Sequence, residues 1–401
     1  MLWSSTTYSL RANTNSTRYE LPPNNIILVK WFILPFISTC SLFSATIVVA
    51  QTWDGGGGAN RNGSTASNWN PDGVPANNGT ASLTFDGVNQ SPFVDVPWSV
   101  NSIIFPSTAQ GFNIQGSTLS IGVGGIRNDS VPTNPNVRPA FNFTTAIVLT
   151  GPQTWSSPGN NNAGLDFSGP INLGTHTLTI APLGNGSSGV YVRARITGSG
   201  GLIVQGFLVL YPRGHDYTGG TTIESGGDLF GTAASLQGNF NIAPTGTMRF
   251  GDVLDGSKIN GTFHGIISGS GTVSLQSGAE IGFDPADSTS IGANISLLVS
   301  TTLVAAAPGS LNFGRLFAAN ATLDMGTGTN AVSFANSSGQ SWFGQTLTIT
   351  NYLAGSDSLR FGTSSSGLTA TQLALLRFAG YGMSLARLTR TASSPRTFHS
   401  Q

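Results

Sequence analysis

Two close acidic pairs are the residues whose types and spacing could do chemistry. Asp284 and Asp287 stand in "FDPADST", and Asp252 and Asp255 in "GDVLDG". On an exposed wall, paired carboxylates can bind Ca2+ or act as general acid and base on a polysaccharide, with a nearby cation stabilising charge. Arg193 and Arg195 alternate in "VYVRARI" and would offer such a cation from one strand face. Both acidic pairs nevertheless sit beside Pro, Gly or Ser, where Asp ordinarily closes a local hydrogen bond in a turn. The turn reading is the stronger one, and the arginines read as solvated wall residues.

Other chemistry finds no apparatus in the sequence. His176, His215 and His264 occupy separate segments, and none has a second His, Cys or Glu at local metal-ligand spacing. They read as turn or surface residues. No Gly-x-Ser-x-Gly elbow occurs, and "GSDSL" lies too close to the C-terminal segment to serve as one. The glycine run Gly55 to Gly58 invites a phosphate-loop reading, but it lacks the strand before and the helix after that such a loop requires. No catalytic residue, metal ligand or cofactor site is therefore assigned. With 17 basic and 17 acidic residues the net charge is +0, so there is no electrostatic footprint for nucleic acid or an anionic membrane.

The elements that would position these residues are strands. Charged residues make up 8% of the chain and glycine 53 of 401 positions. Short alternating runs such as "HTLTI", "GLIVQGFLVLY", "GTVSLQSGAEIGF" and "TLTIT" recur between Gly, Asn and Ser turns, which is the pattern of many short strands. Similar turns return about every 20 to 25 residues, a solenoid-like period. That period favours a parallel β-helix over a sandwich or a propeller. Low charge then has a cause, because like charges stacked ~4.8 Å apart along a parallel ladder repel at every level.

The block "WFILPFISTCSLFSATIVVA", Trp31 to Ala50, follows Lys30 and ends abruptly at Gln51. It reads as the apolar region of a secretory signal, with cleavage between Ala50 and Gln51 after small residues at Val48 and Ala50; a membrane anchor is the competing reading. Cleavage would remove Cys40, the single cysteine, and leave no stable membrane insertion. Residues 1–25 are too long and polar for a signal n-region, which points to translation starting near Leu28 or Val29.

Three stretches carry a family resemblance. Gly198 to Phe230 contains Tyr217-Thr218-Gly219-Gly220-Thr221-Thr222, which resembles the core of the autotransporter-associated β-strand repeat of exported bacterial proteins, although the usual Asn before the Tyr is Asp216 here. Thr52-Trp53, Asn68-Trp69 and Phe85-Asp86-Gly87 resemble the start of the same proteins. The resemblance implies an all-β fold, a right-handed parallel β-helix, in which Trp53, Trp69 and Phe85 cap the open end of the solenoid; a sugar-stacking platform is the other use for those rings. Ser356 to Gly382 is similar to the closing segment of related repeat proteins. There Thr369 and Gln372 have capping-box spacing and Leu368 and Leu373 staple spacing, predicting a helix over Ala370 to Phe378 with a stop at Gly380.

The expected organisation is a signal over 1–50, a capping segment over 51–97, coils over 98–365, a closing helix segment over 366–382 and an atypical tail over 383–401. That tail adds Arg387, Arg390 and Arg396 without an acid. In place of the translocator barrel or Pro-Glu-Pro sorting signal of such relatives, it reads as a frame error or truncation. The resemblance implies an exported, non-enzymatic passenger-like surface protein, adhesive toward surface polysaccharide or other envelope components. A β-helical polysaccharide lyase or hydrolase is the alternative, since one fold hosts both.

Overall fold

The structure, a computed structural model, describes residues 50–87, 90–131, 140–158, 164–183, 189–252, 260–287 and 290–380. The export segment with Cys40, Asp255, and the tail from 383 onward lie outside these residues. The chain is nearly all β and winds into a parallel β-solenoid of about 11 turns, with one short helix near the C-terminus.

Strand pairing in register builds the walls. Along one wall Leu165 pairs with Val190, Val190 with Leu208, Leu208 with Leu229 and Leu229 with Met248. These partners lie roughly 20 residues apart in sequence, the period of a solenoid. Two-residue alternation decides what faces inward: Asn330–Phe334 and Ser82–Phe85 bury every second side chain. The inward residues are Val, Ile, Leu, Phe and Trp, and they form one continuous core from Trp53 to Leu376. Translation by one coil brings like residue over like. Phe313 pairs with Phe334 and Phe334 with Phe361, and their rings stack with centroids 5.3 Å apart at both steps.

Bends between walls are tied by Asn side chains reaching to the next coil. Asn294 Oδ1 accepts from the Arg315 N–H at 3.0 Å, and Asn320 Oδ1 from the Thr346 N–H at 3.1 Å. Asn320 itself takes a positive φ of 48°, which Asn tolerates better than most residues.

Parallel pairing begins with the first described strand. Gln51–Trp53 pairs in parallel with Ser82–Phe85, which pairs in parallel with Trp98–Phe105. The helix is shorter than expected, ending at Ala374 rather than Phe378. Leu376–Phe378 instead forms a strand on Leu347–Thr350, with Leu376 buried. The edge of that sheet offers unpaired backbone groups, and pairing with them outweighs about one more turn of helix. Among the described residues no helix is long and apolar enough to cross a membrane.

Candidate functional site

The tryptophan-rich opening folds into a knot of aromatic rings. Trp53 and Trp69 are each 1% exposed, and Phe85 and Trp98 are buried beside them. Trp69 meets Trp53 at 5.2 Å with an interplanar angle of 89° and Trp98 at 5.9 Å with 83°, the edge-to-face geometry that ring quadrupoles favour. Both indoles also satisfy their polar edge: Trp53 Nε1 donates to Gln90 Oε1 at 2.5 Å, and Trp69 Nε1 to the Gly63 carbonyl at 2.8 Å. Trp69–Asn70 runs antiparallel to Gln51–Trp53 and stands last in its sheet.

The glycine run is local turn chemistry around one buried amide. Asn68 is fully buried; its Nδ2 donates to the Asn60 and Asn62 carbonyls, while its Oδ1 accepts from the Gly57 N–H at 2.9 Å. That amide satisfies a loop that would otherwise bury unpaired backbone groups. Ala50 is exposed and immediately precedes the first strand, which starts at Gln51.

The stretch Tyr217 to Thr222 places its residues by close approach of coils. Thr221–Ile223 pairs with Leu202–Val204 before it and Phe240–Ile242 after it. A Cβ on Gly219 would lie 2.5 Å from the Gly200 carbonyl carbon, so only glycine fits there, and Gly220 turns with φ +74°. Thr218 is exposed and Thr222 half-buried. Tyr217 Oη and Thr221 Oγ1 share a hydrogen bond of 2.6 Å, and burial pushes the Tyr217 phenol up to about 12. Tyr217 thereby acts as a structural pin.

The arginines do not share a strand face. Both follow Val190–Val192 in the corner leading to Ile196–Thr197, and they turn to different coils. Arg193 Nε bonds both carboxylate oxygens of Asp166, at 3.0 and 2.7 Å, with its guanidinium 4.3 Å over the Tyr211 ring. Arg195 pairs with Asp216. Arg249 pairs with Asp228 one level on. Asp252 follows Phe250 just beyond a strand end.

Among the histidines, His215 is held by two backbone groups: Nδ1 accepts from the Ile196 N–H at 3.1 Å, and Nε2 donates to the Tyr211 carbonyl at 2.9 Å. Burial lowers its pKa, partly opposed by that Tyr211 carbonyl and by Asp216. His176 lies in a turn, with its N–H bonded to the Leu173 carbonyl. His264 meets Asp287 at 2.6 Å and lies beside Asp284. Sequence spacing missed this grouping because its members come from successive coils. A shallow depression on the same wall is lined by Gly261, Thr262, Glu280, Gly282, Val304 and Ala306.

Comparison with known proteins gives one relative to describe. The chain is similar to the adhesin BmaC autotransporter of Brucella suis biovar 1 (strain 1330), at 30% identity over 250 residues. The match covers 49% of this chain and 7% of the adhesin, so the chain spans a small fraction of its relative's length. No family model matches, and no solved structure matches.

Proposed function

We propose that the chain is an exported bacterial surface protein of the passenger type, in which a non-catalytic solenoid presents an adhesive outer face to surface polysaccharide or other envelope components. The observation that carries this reading is the conjunction of the parallel solenoid with similarity to an autotransporter adhesin. The autotransporter-associated repeat read at Tyr217 to Thr222 belongs to the same proposal, as does cleavage between Ala50 and Gln51, which would leave the first strand at the new N-terminus.

The wall chemistry supports a structural role. Arg193, Arg195 and Arg249 are held by Asp166, Asp216 and Asp228 from neighbouring coils. They stitch levels together instead of lining a groove. The depression on the third wall carries one carboxylate, Glu280, and no basic group, whereas acid–base cleavage of a glycosidic bond ordinarily uses two carboxylates. Trp53 and Trp69 are too buried to stack on a sugar, so the proposal assigns them to capping and places adhesion on the outer walls.

Protease treatment of intact producing cells tests the placement. Digestion of the chain before lysis is the expected result; protection until lysis overturns it. Purified chain should then be retained on immobilised surface polysaccharide without releasing new reducing ends. Release of reducing ends would transfer the assignment to the polysaccharide-active enzyme.

A further inference from the structure

We infer that His264, Asp284 and Asp287 form a binding site for a divalent transition-metal ion, with Zn2+ the best fit. The site follows from the coil register. Asn260–Phe263 pairs with Glu280–Phe283, so that Phe263 lies opposite Phe283. The next residues on each coil, His264 and Asp284, therefore leave the wall at the same corner, one above the other. The following turn brings a second carboxylate back: the Asp287 N–H donates to the Asp284 carbonyl at 3.1 Å, and the Ala286 N–H to Asp284 Oδ1 at 2.8 Å. Below, Gln237 Oε1 accepts from the His264 N–H at 3.1 Å and fixes the base of the imidazole.

One nitrogen and two carboxylate oxygens thus converge, with all ligand atoms within 4.8 Å of one another and His264 Nδ1 2.6 Å from Asp287 Oδ2. Bonds of ~2.0–2.2 Å in a tetrahedral shell put ligand atoms ~3.3–3.5 Å apart, a spacing between those two values, so small side-chain rotations close the shell. The ion would be bound by Nδ1 of an imidazole in the tautomer with its single proton on Nε2, in place of the His264–Asp287 hydrogen bond. Three protein ligands at an exposed corner leave a fourth position for water.

Electrostatics points the same way. Other wall carboxylates, Asp129, Asp166, Asp216 and Asp228, each hold an arginine. Among the described residues no Arg or Lys forms an ion pair with Asp284 or Asp287, so two carboxyl groups share one corner with an imidazole. The donor set selects the metal class: imidazole with carboxylate suits Zn2+ and its first-row neighbours, whereas Ca2+ takes six to eight oxygen ligands. This inference is independent of adhesion.

The test is Zn2+ titration of the untagged full chain by calorimetry, beside His264→Ala, the double variant Asp284→Asn/Asp287→Asn, and His176→Ala. Circular dichroism confirms that each variant is folded; the His264 side chain is 59% exposed and its loss should leave the coils intact. The expected result is one Zn2+ per wild-type chain, unchanged in His176→Ala and weakened at least ~10-fold in the other two, as loss of a ligand should do at minimum. Absence of binding to the wild type overturns the site, as does binding that survives both other replacements. Ca2+ binding with no preference for Zn2+ would likewise overturn the metal assignment.

Discussion

The two ends of the solenoid solve different packing problems with the same kind of residue. Toward the C-terminus Phe313, Phe334 and Phe361 repeat in register, and their rings lie nearly parallel, at 21° and 16°. At the N-terminal end Trp53 and Phe85 are in parallel register and tilted by 32°, whereas Trp69 comes from the antiparallel strand and meets Trp53, Phe85 and Trp98 at 89°, 62° and 83°. Parallel stacking is what translation along a ladder produces. The edge-to-face contacts of Trp69 accompany a reversal of the chain: Trp69–Asn70 is antiparallel while the strands beyond Gln51–Trp53 are parallel. The aromatic residues of the coils therefore propagate a structure, and those of the opening segment finish one.

The largest effect is expected from breaking the finish. Trp53→Ala with Trp69→Ala removes two nearly inaccessible indoles, each worth ~3–5 kcal/mol when truncated at a buried site. Because the rings touch, the pair will not add simply, but several kcal/mol should be lost and the exposed strand edge should promote aggregation. Thermal unfolding by circular dichroism reads this directly. An unchanged melting transition in a soluble double variant would refute the capping role.

Phe334→Ala should come next, at about 3 kcal/mol, because it removes the middle ring of a three-level stack. The difference from the tryptophans should be one of kind as well as size. A solenoid is held by nearest-neighbour contacts, so damage at one level loosens adjacent coils while the rest stays folded. Hydrogen exchange should show lost protection around Leu311–Phe361 and retained protection near Trp155. Uniform loss along the chain would show that the coils unfold as one unit.

The same contrast explains how much could be read from the sequence. Period-two alternation and recurrent Gly turns reveal the walls, and the Tyr217 to Thr222 stretch leads from a bend, with Gly219 at a close coil contact, into the wall strand that starts at Thr221. The capping box was legible because its signal is local: Thr369 Oγ1 accepts from the Gln372 N–H at 3.1 Å, and Gln372 Oε1 from the Thr369 N–H at 2.8 Å. What local pattern cannot give is register. Arg193 and Arg195 look like one strand face but occupy a corner and bond opposite neighbours. His264 looks isolated because its partners lie on the next coil. The early helix stop depends on an edge at Leu347–Thr350, which no local signal reports.

Thr369→Ala should have a smaller effect, about 1 kcal/mol, the usual cost of removing an N-cap. Gln372→Ala should cost more, since Gln372 Nε2 also donates to the Ser337 and Gln340 carbonyls at 3.0 and 2.8 Å. That ordering, read from urea unfolding midpoints, sharpens the view of the helix as a plug tied to the last coils. Equal losses would reduce it to an isolated turn.

The smallest effect is expected at His215, and it appears as a pH dependence. Burial favours the neutral imidazole, which accepts from Ile196 and donates to Tyr211, so the folded pKa lies below the ordinary histidine value of about 6.5. Protonation turns Nδ1 from acceptor to donor and breaks the first of these bonds. The unfolded chain then takes up the proton at higher pH than the folded one. The stabilisation is fully present above ~6.5 and is lost as pH falls from there through the lowered folded value. Urea midpoints should thus drop more between pH 7.5 and pH 5 in the wild type than in His215→Gln, which keeps a polar side chain but cannot titrate. Matching slopes in the two proteins would show that His215 is protonated in the folded coil without penalty, and that this corner is wetter than its two backbone hydrogen bonds imply.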